Sequence, residues 1–248
     1  MDTYTTDGII LDLSTSDYLF VEGKIDDTSK LSPKTTKLYI KACYATFYVP
    51  THVLTLQIED SSILQYLYLS PTIVRIIIRN PISILTLIKY INPGIQELEF
   101  TWKNEDSLEV SKTTLSIEFR YLSIFKQLRK LIVRNIPIVD LSLLNLPQLD
   151  KLLLYNTKTL LIQGKLDSKL SFLSICAEEL NLDFIIKCEH TRLYGKITEQ
   201  SKINFQDSIG ELVCENNDKI YYRQNITPDI PLNLPTISYL SSDMETVI

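Results

Sequence analysis

Leu128-Arg-Lys-Leu131-Ile-Val133-Arg-Asn135 and, starting again at residue 149, Leu149-Asp-Lys-Leu152-Leu-Leu154-Tyr-Asn156 are one phrase written twice. The phrase is an apolar residue, two variable ones, apolar, variable, apolar, variable, asparagine. Ile73-Val-Arg-Ile76-Ile-Ile78-Arg-Asn80 and Ile209-Gly-Glu-Leu212-Val-Cys214-Glu-Asn216 repeat it, asparagine included. The fourth and sixth residues are two apart, the period of one strand face, so each phrase predicts a short strand with those residues turned inward.

Weaker copies fill the intervals. They begin at Thr35, Val53, Ile95, Leu170, His190 and Leu234, so that starts at 35, 53, 73, 95, 128, 149, 170, 190, 209 and 234 follow one another at 18, 20, 22, 33, 21, 21, 20, 19 and 25 residues. The interval of 33 predicts an insertion at 102–125. A strand and a return segment recurring at this period cannot each bury an apolar face alone, but stacked copies can, which is the logic of a solenoid. Leu56, Ile58, Ile76, Ile78, Leu98, Phe100, Leu131, Val133, Leu152, Leu154, Leu173 and Ile175 are then the expected core, on parallel strands stacked in sequence order.

With Ile136-Pro-Ile138-Val-Asp-Leu141-Ser-Leu-Leu144-Asn-Leu146 between the two most regular copies, the chain resembles the leucine-rich repeat family. The likeness is to its short, irregular intracellular members, such as phosphatase-regulatory and F-box leucine-rich repeat proteins. In that family the asparagine follows the third apolar residue by three positions; here it follows by two. The resemblance implies an α/β fold, a leucine-rich repeat solenoid with a parallel concave sheet and about nine to ten repeats. Residues 35–248 form the array, and the less regular 1–34 form an N-terminal capping segment, since an open solenoid end needs cover.

The third, fifth and seventh residues of each phrase alternate away from the core. On successive copies they are Arg75, Ile77, Arg79, then Glu97, Glu99, Thr101, then Lys130, Ile132, Arg134, then Lys151, Leu153, Tyr155. Ile77, Ile132 and Leu153 form an outward apolar strip flanked by charge, the composition of a contact surface. The expected partner-binding set is therefore Arg75, Ile77, Arg79, Glu97, Glu99, Lys130, Ile132, Arg134, Lys151, Leu153 and Tyr155. Its basic flanks suit an acidic or phosphorylated segment of another protein, and Glu97 and Glu99 interrupt what would otherwise be a uniform basic track for nucleic acid.

Composition narrows the classes. A net charge of −5, with 30 acidic and 25 basic residues, lacks the basic excess of a general nucleic-acid binder. The 6 glycines include no GxGxxG or GxxxxGK grouping, which disfavours a nucleotide enzyme. The longest stretch free of Asp, Glu, Lys and Arg, Ala42–Ile58, is shorter than a spanning helix. Chemistry-bearing groups are few. Glu97 and Glu99 on one strand face would suit paired acid/base work, making a hydrolase the rival from another class. Cys176, Cys188 and His190 lack paired CxxC spacing, so no metal and no cofactor are expected. Asn225-Ile-Thr227 has the form of a glycosylation acceptor but is followed by Pro228, and the sequence starts without the basic residues and apolar run of a secretory signal. The expectation is a non-enzymatic protein-interaction scaffold, cytoplasmic or nuclear, with no membrane partner. A ubiquitin-ligase recognition module and a cell-surface recognition protein are the rivals within the same class.

Overall fold

The structure, a computed structural model, describes residues 5–7, 18–24, 33–81, 87–102, 119–198, 201–205, 209–216, 219–226 and 232–233. They fall into two units, Met1–Lys103 and Asn104–Ile248. The boundary lies in the segment expected to be inserted, of which 103–118 is outside the described residues. Most of the expected cap at 1–34 and the whole phrase at Leu234 are also outside them.

The first unit holds β1 (Thr5–Asp7), β2 (Tyr18–Lys24), β3 (Lys37–Ala42), β4 (Phe47–Tyr48), β5 (Thr55–Ile58), β6 (Leu67–Tyr68), β7 (Arg75–Arg79) and β8 (Glu97–Thr101). Strands β2, β3, β5, β7 and β8 pair in sequence order, all parallel. The register is in phase with the phrase: Leu38, Leu56, Ile76 and Leu98 stand side by side, as do Ile40, Ile58, Ile78 and Phe100. All eight are buried. On the return side β4 pairs with β6, also parallel.

The second unit holds β9 (Lys130–Arg134), β10 (Ile138–Asp140), β11 (Lys151–Tyr155), β12 (Thr159–Ile197), β13 (Lys202–Phe205), β14 (Ile209–Asn216), β15 (Lys219–Ile226) and β16 (Leu232–Asn233). Here β9, β11 and residues 172–176 of β12 stack in parallel, aligning Leu131, Leu152 and Leu173, then Val133, Leu154 and Ile175. Successive stretches of β12 pair with β10, β11, β13 and β14. It therefore winds round the solenoid rather than running straight. Strand β14 pairs in parallel with β12 and antiparallel with β15.

Each unit is thus a stretch of parallel β-solenoid. The return segments among the described residues contain 3-10 turns, at Ser61–Tyr66, Phe119–Ile124 and Leu141–Leu143, and short strands. Leu87 is α-helical, and the tighter 3-10 elements suit a short period of about 20 residues. Asp60 and Asp140 cap two of them, each carboxylate accepting from the amide of the serine two residues on, Ser62 at 2.8 Å and Ser142 at 2.9 Å.

A tight turn delivers the chain into five of the phrases. The amides of Val53, Ile73, Ile95, Leu128 and Leu149 donate to the carbonyls of Pro50, Ser70, Asn92, Phe125 and Leu146, three residues earlier. Pro71, Pro93 and Pro147 occupy the second residue of three of these turns, where a φ fixed near −65° is what the turn needs.

The eighth position follows the last residue of β7, β8, β9 and β11. Asn80 and Asn135 adopt left-handed φ values of 57° and 59°, a conformation asparagine tolerates better than most residues. Their amides donate to the carbonyls of Thr101 and Tyr155 on the next turn, at 2.6 and 2.7 Å. Asn156 makes the same backbone bond, to the Cys176 carbonyl at 2.8 Å, and adds side-chain bonds. It is buried, and its Nδ2 donates to the carbonyls of Ile136 and Thr159, both at 2.9 Å.

One copy is misread by its sequence. The expected start at His190 sets Leu193 beside Leu212, but the structure pairs Thr191 with Leu212 and Leu193 with Cys214. Thr191 and Leu193 are both buried, as is Cys188. The phrase therefore starts at Cys188, and Gly195, with φ of 131°, becomes its eighth residue. It falls in the same column as Asn135, Asn156 and Ala177.

Candidate functional site

The outward side chains of the first unit satisfy one another. Arg75 on β7 lies between the two carboxylates of β8, with Nη2 at 3.2 Å from Glu99 and Nε at 3.6 Å from Glu97. Arg79 reaches Glu59 at 3.8 Å and sits 5.7 Å from the Tyr39 ring centre. The Tyr39 hydroxyl donates to Glu59 at 2.5 Å. With its amide oxygen turned to Arg79, Gln57 accepts from Nε and Nη2 at 3.1 and 3.2 Å. The parallel register places these residues on adjacent strands, within side-chain reach. Arg75 and Arg79, expected in a basic flank, are each paired with carboxylates of their own unit. The same pairing engages Glu97 and Glu99, the two groups that a hydrolase reading would need. Ile77 lies among them, partly exposed.

The second unit is different. Its third-position column, re-registered at Cys188, is Lys130, Lys151, Phe172 and His190. Lys130 and Lys151 stand directly opposite each other on β9 and β11. These four residues line an open depression of about 520 Å³ together with Leu153 from the fifth column. Ser171 and Glu189 complete its rim, and Glu189 is held by Lys169 at 2.9 Å.

Two guanidinium groups rest on aromatic rings beside it. Arg134 lies 4.6 Å from the Tyr155 ring centre and Arg192 lies 5.7 Å from that of Phe172. Such stacking holds a cation in place.

Ile132 departs from expectation. It points to the outward side but is only 6% exposed, with Leu153 opposite it in register. The apolar strip therefore reaches solvent in this unit mainly through the half-buried Leu153. His190, exposed, was missed as a face residue because the phrase was aligned two positions late; Arg192, also exposed, is outward in either alignment. The glycine at 195 was the available signal, since a residue able to take positive φ belongs at position eight.

Cys188 and His190 do not form a nucleophilic pair. Cys188 is buried and His190 is exposed on the other side of the same strand; the thiol donates to the His190 backbone carbonyl at 3.2 Å. Burial pushes the Cys188 thiol up to about 11, further from the thiolate that attack requires. Cys214 is pushed up to about 12 for the same reason. Among the described residues no three His, Cys, Asp or Glu side chains converge to hold a metal ion, and no helix is long and apolar enough to cross a membrane.

Comparison with protein-family models, with curated proteins and with solved structures returns no match.

Proposed function

We propose that this chain is a non-enzymatic scaffold that binds another protein on the outward strand face of its second unit, and that the solenoid is an irregular leucine-rich repeat array of about nine to ten repeats. The observation that carries the binding reading is the Lys130–Lys151–Phe172–His190 column beside Leu153 and Tyr155. A parallel sheet holds these side chains at fixed spacing, and an aromatic and an aliphatic residue lie partly exposed among cations. Rigid apolar anchors with a charged surround are the composition from which interface energy is mainly drawn.

In the first unit Arg75 and Arg79 are paired with carboxylates of their own unit; in the second, the third-position column sets Lys130 beside Lys151. An acidic or phosphorylated segment is the complementary partner. Affinity purification with mass spectrometry tests this, using the wild-type chain beside a Leu153→Asp/Tyr155→Ala variant that keeps the wild-type melting temperature. A protein retained by wild type and lost from the variant is expected. Partners retained equally by both would move the binding surface elsewhere.

A further inference from the structure

We propose that Tyr48 and Tyr68 form an oxidative cross-linking site, where a haem peroxidase acting with hydrogen peroxide joins the two rings and so fastens one turn of the first unit to the next. The register of β4 and β6 sets the two residues directly opposite each other on parallel strands. Their ring centres are 4.6 Å apart and their planes differ by 12°, a separation close to the strand spacing of roughly 4.8 Å. The same side chain at the same register points the same way on both strands, so the ortho edge of one ring runs beside that of the other.

Both rings are open to an oxidant. Tyr48 is 59% and Tyr68 is 58% exposed, because their neighbours Phe47 and Leu67 take the inward positions of the two strands. The competing reductants are largely covered. Trp102, the single tryptophan, is buried, as are Cys43, Cys188 and Cys214 among the four thiols.

Each phenol gives up one electron and its hydroxyl proton, and the unpaired spin of the resulting phenoxyl spreads to the ortho carbons. Two such radicals form a carbon–carbon bond between ortho positions. The proton on each of those carbons then moves to the adjacent oxygen, restoring both phenols. Two hydrogens leave the protein, and one hydrogen peroxide is reduced to two waters. Rings already held in contact couple before either radical meets one on another chain. The new bond closes a loop between successive turns, which restricts the unfolded chain more than the folded one.

Treatment of the dilute intact chain with a haem peroxidase and hydrogen peroxide, followed by proteolysis and mass spectrometry, tests the assignment. A monomeric product lighter by two hydrogens is expected, with residue 48 joined to residue 68 and a rate independent of protein concentration. Tyr48→Phe and Tyr68→Phe keep a ring to stack but lack the hydroxyl, and each should remove most of the dityrosine fluorescence of the monomer. Tyr44→Phe should leave that fluorescence unchanged, although Tyr44 is 76% exposed, because coupling follows contact rather than exposure. The mapping is made on the wild-type chain, so it stands whether or not either variant folds. Links mainly between other tyrosines, products formed only as concentration-dependent dimers, or fluorescence undiminished in both Phe variants would overturn the site. The linked chain should also melt above the untreated one, and an unchanged melting temperature would overturn the fastening of the turns.

Discussion

Gly195 lies against the Ala177 carbonyl so closely that a Cβ at residue 195 would stand 1.8 Å from the Ala177 oxygen. No side chain fits there without displacing the neighbouring turn, and φ of 131° is itself a conformation that non-glycine residues rarely adopt. Gly195→Ala should cost about 2–4 kcal/mol in urea unfolding. A change under about 0.5 kcal/mol would show that the eighth position of this turn is not where the backbone places it.

Leu152 and Lys151 are neighbours on β11 with opposite fates, one wholly buried and the other exposed. Leu152→Ala should cost about 2–5 kcal/mol by lost burial and the cavity left behind. Lys151→Ala should stay within about 0.5 kcal/mol. Equal losses would contradict the alternation on which every column assignment depends.

Ile132 and Leu153 share an outward column but differ in cover. Ile132→Asp would place a charge at a site only 6% exposed and should destabilise by several kcal/mol, on the order of 3–5. Leu153→Asp should cost no more than about 1 kcal/mol. Chemical denaturation of the two single variants, side by side, checks the order.

Cys188 and Cys214 make stability fall in alkali. Their thiols ionise near 11 and 12 in the folded chain, against 9.0 for an unburied thiol. The folded state therefore holds protons that the unfolded state releases first. Their contribution is whole below about pH 9 and is lost as pH rises through the folded values. Unfolding free energies measured from pH 8 to 11 should decline, and Cys188→Ala/Cys214→Ala should flatten the decline. An identical slope in both chains would assign it to other groups.

Thr191 occupies an inward position that leucine holds on the neighbouring turns. Its hydroxyl is fully buried and faces nothing stronger than the Cys188 thiol. Thr191→Val keeps the shape and removes a poorly satisfied polar group, so a gain of about 1 kcal/mol is expected. A loss of that size would reveal a hydrogen bond worth keeping.

The inward columns were legible because they obey a two-residue alternation repeated at nearly constant period. Every one of the twelve expected core residues from Leu56 to Ile175 is buried, and their strands stack in sequence order within each unit. Reading failed where chemistry replaced the aliphatic residue. Cys188 and Thr191 stand where leucines or isoleucines mark other turns, so the pattern slid to His190 and hid that residue's place on the face. Three of the turns before the phrases carried a proline signal, at Pro71, Pro93 and Pro147, that apolar periodicity alone does not see. The candidate site was less legible than the core. Which cations are balanced depends on lateral neighbours some 20 residues away, as for Arg75 with Glu97 and Glu99. The cover over Ile132 is likewise a property of the packed face rather than of its own phrase.

The antiparallel pairing of β15 with β14 has a consequence for what the molecule avoids. A stack of parallel turns ends in a row of unsatisfied amides and carbonyls, a template on which another chain could continue the same stack into a fibre. Strand β15 occupies that edge of β14 along its length, and it runs the wrong way to extend the parallel order. Strand β15 therefore closes that edge of β14 to a further parallel turn.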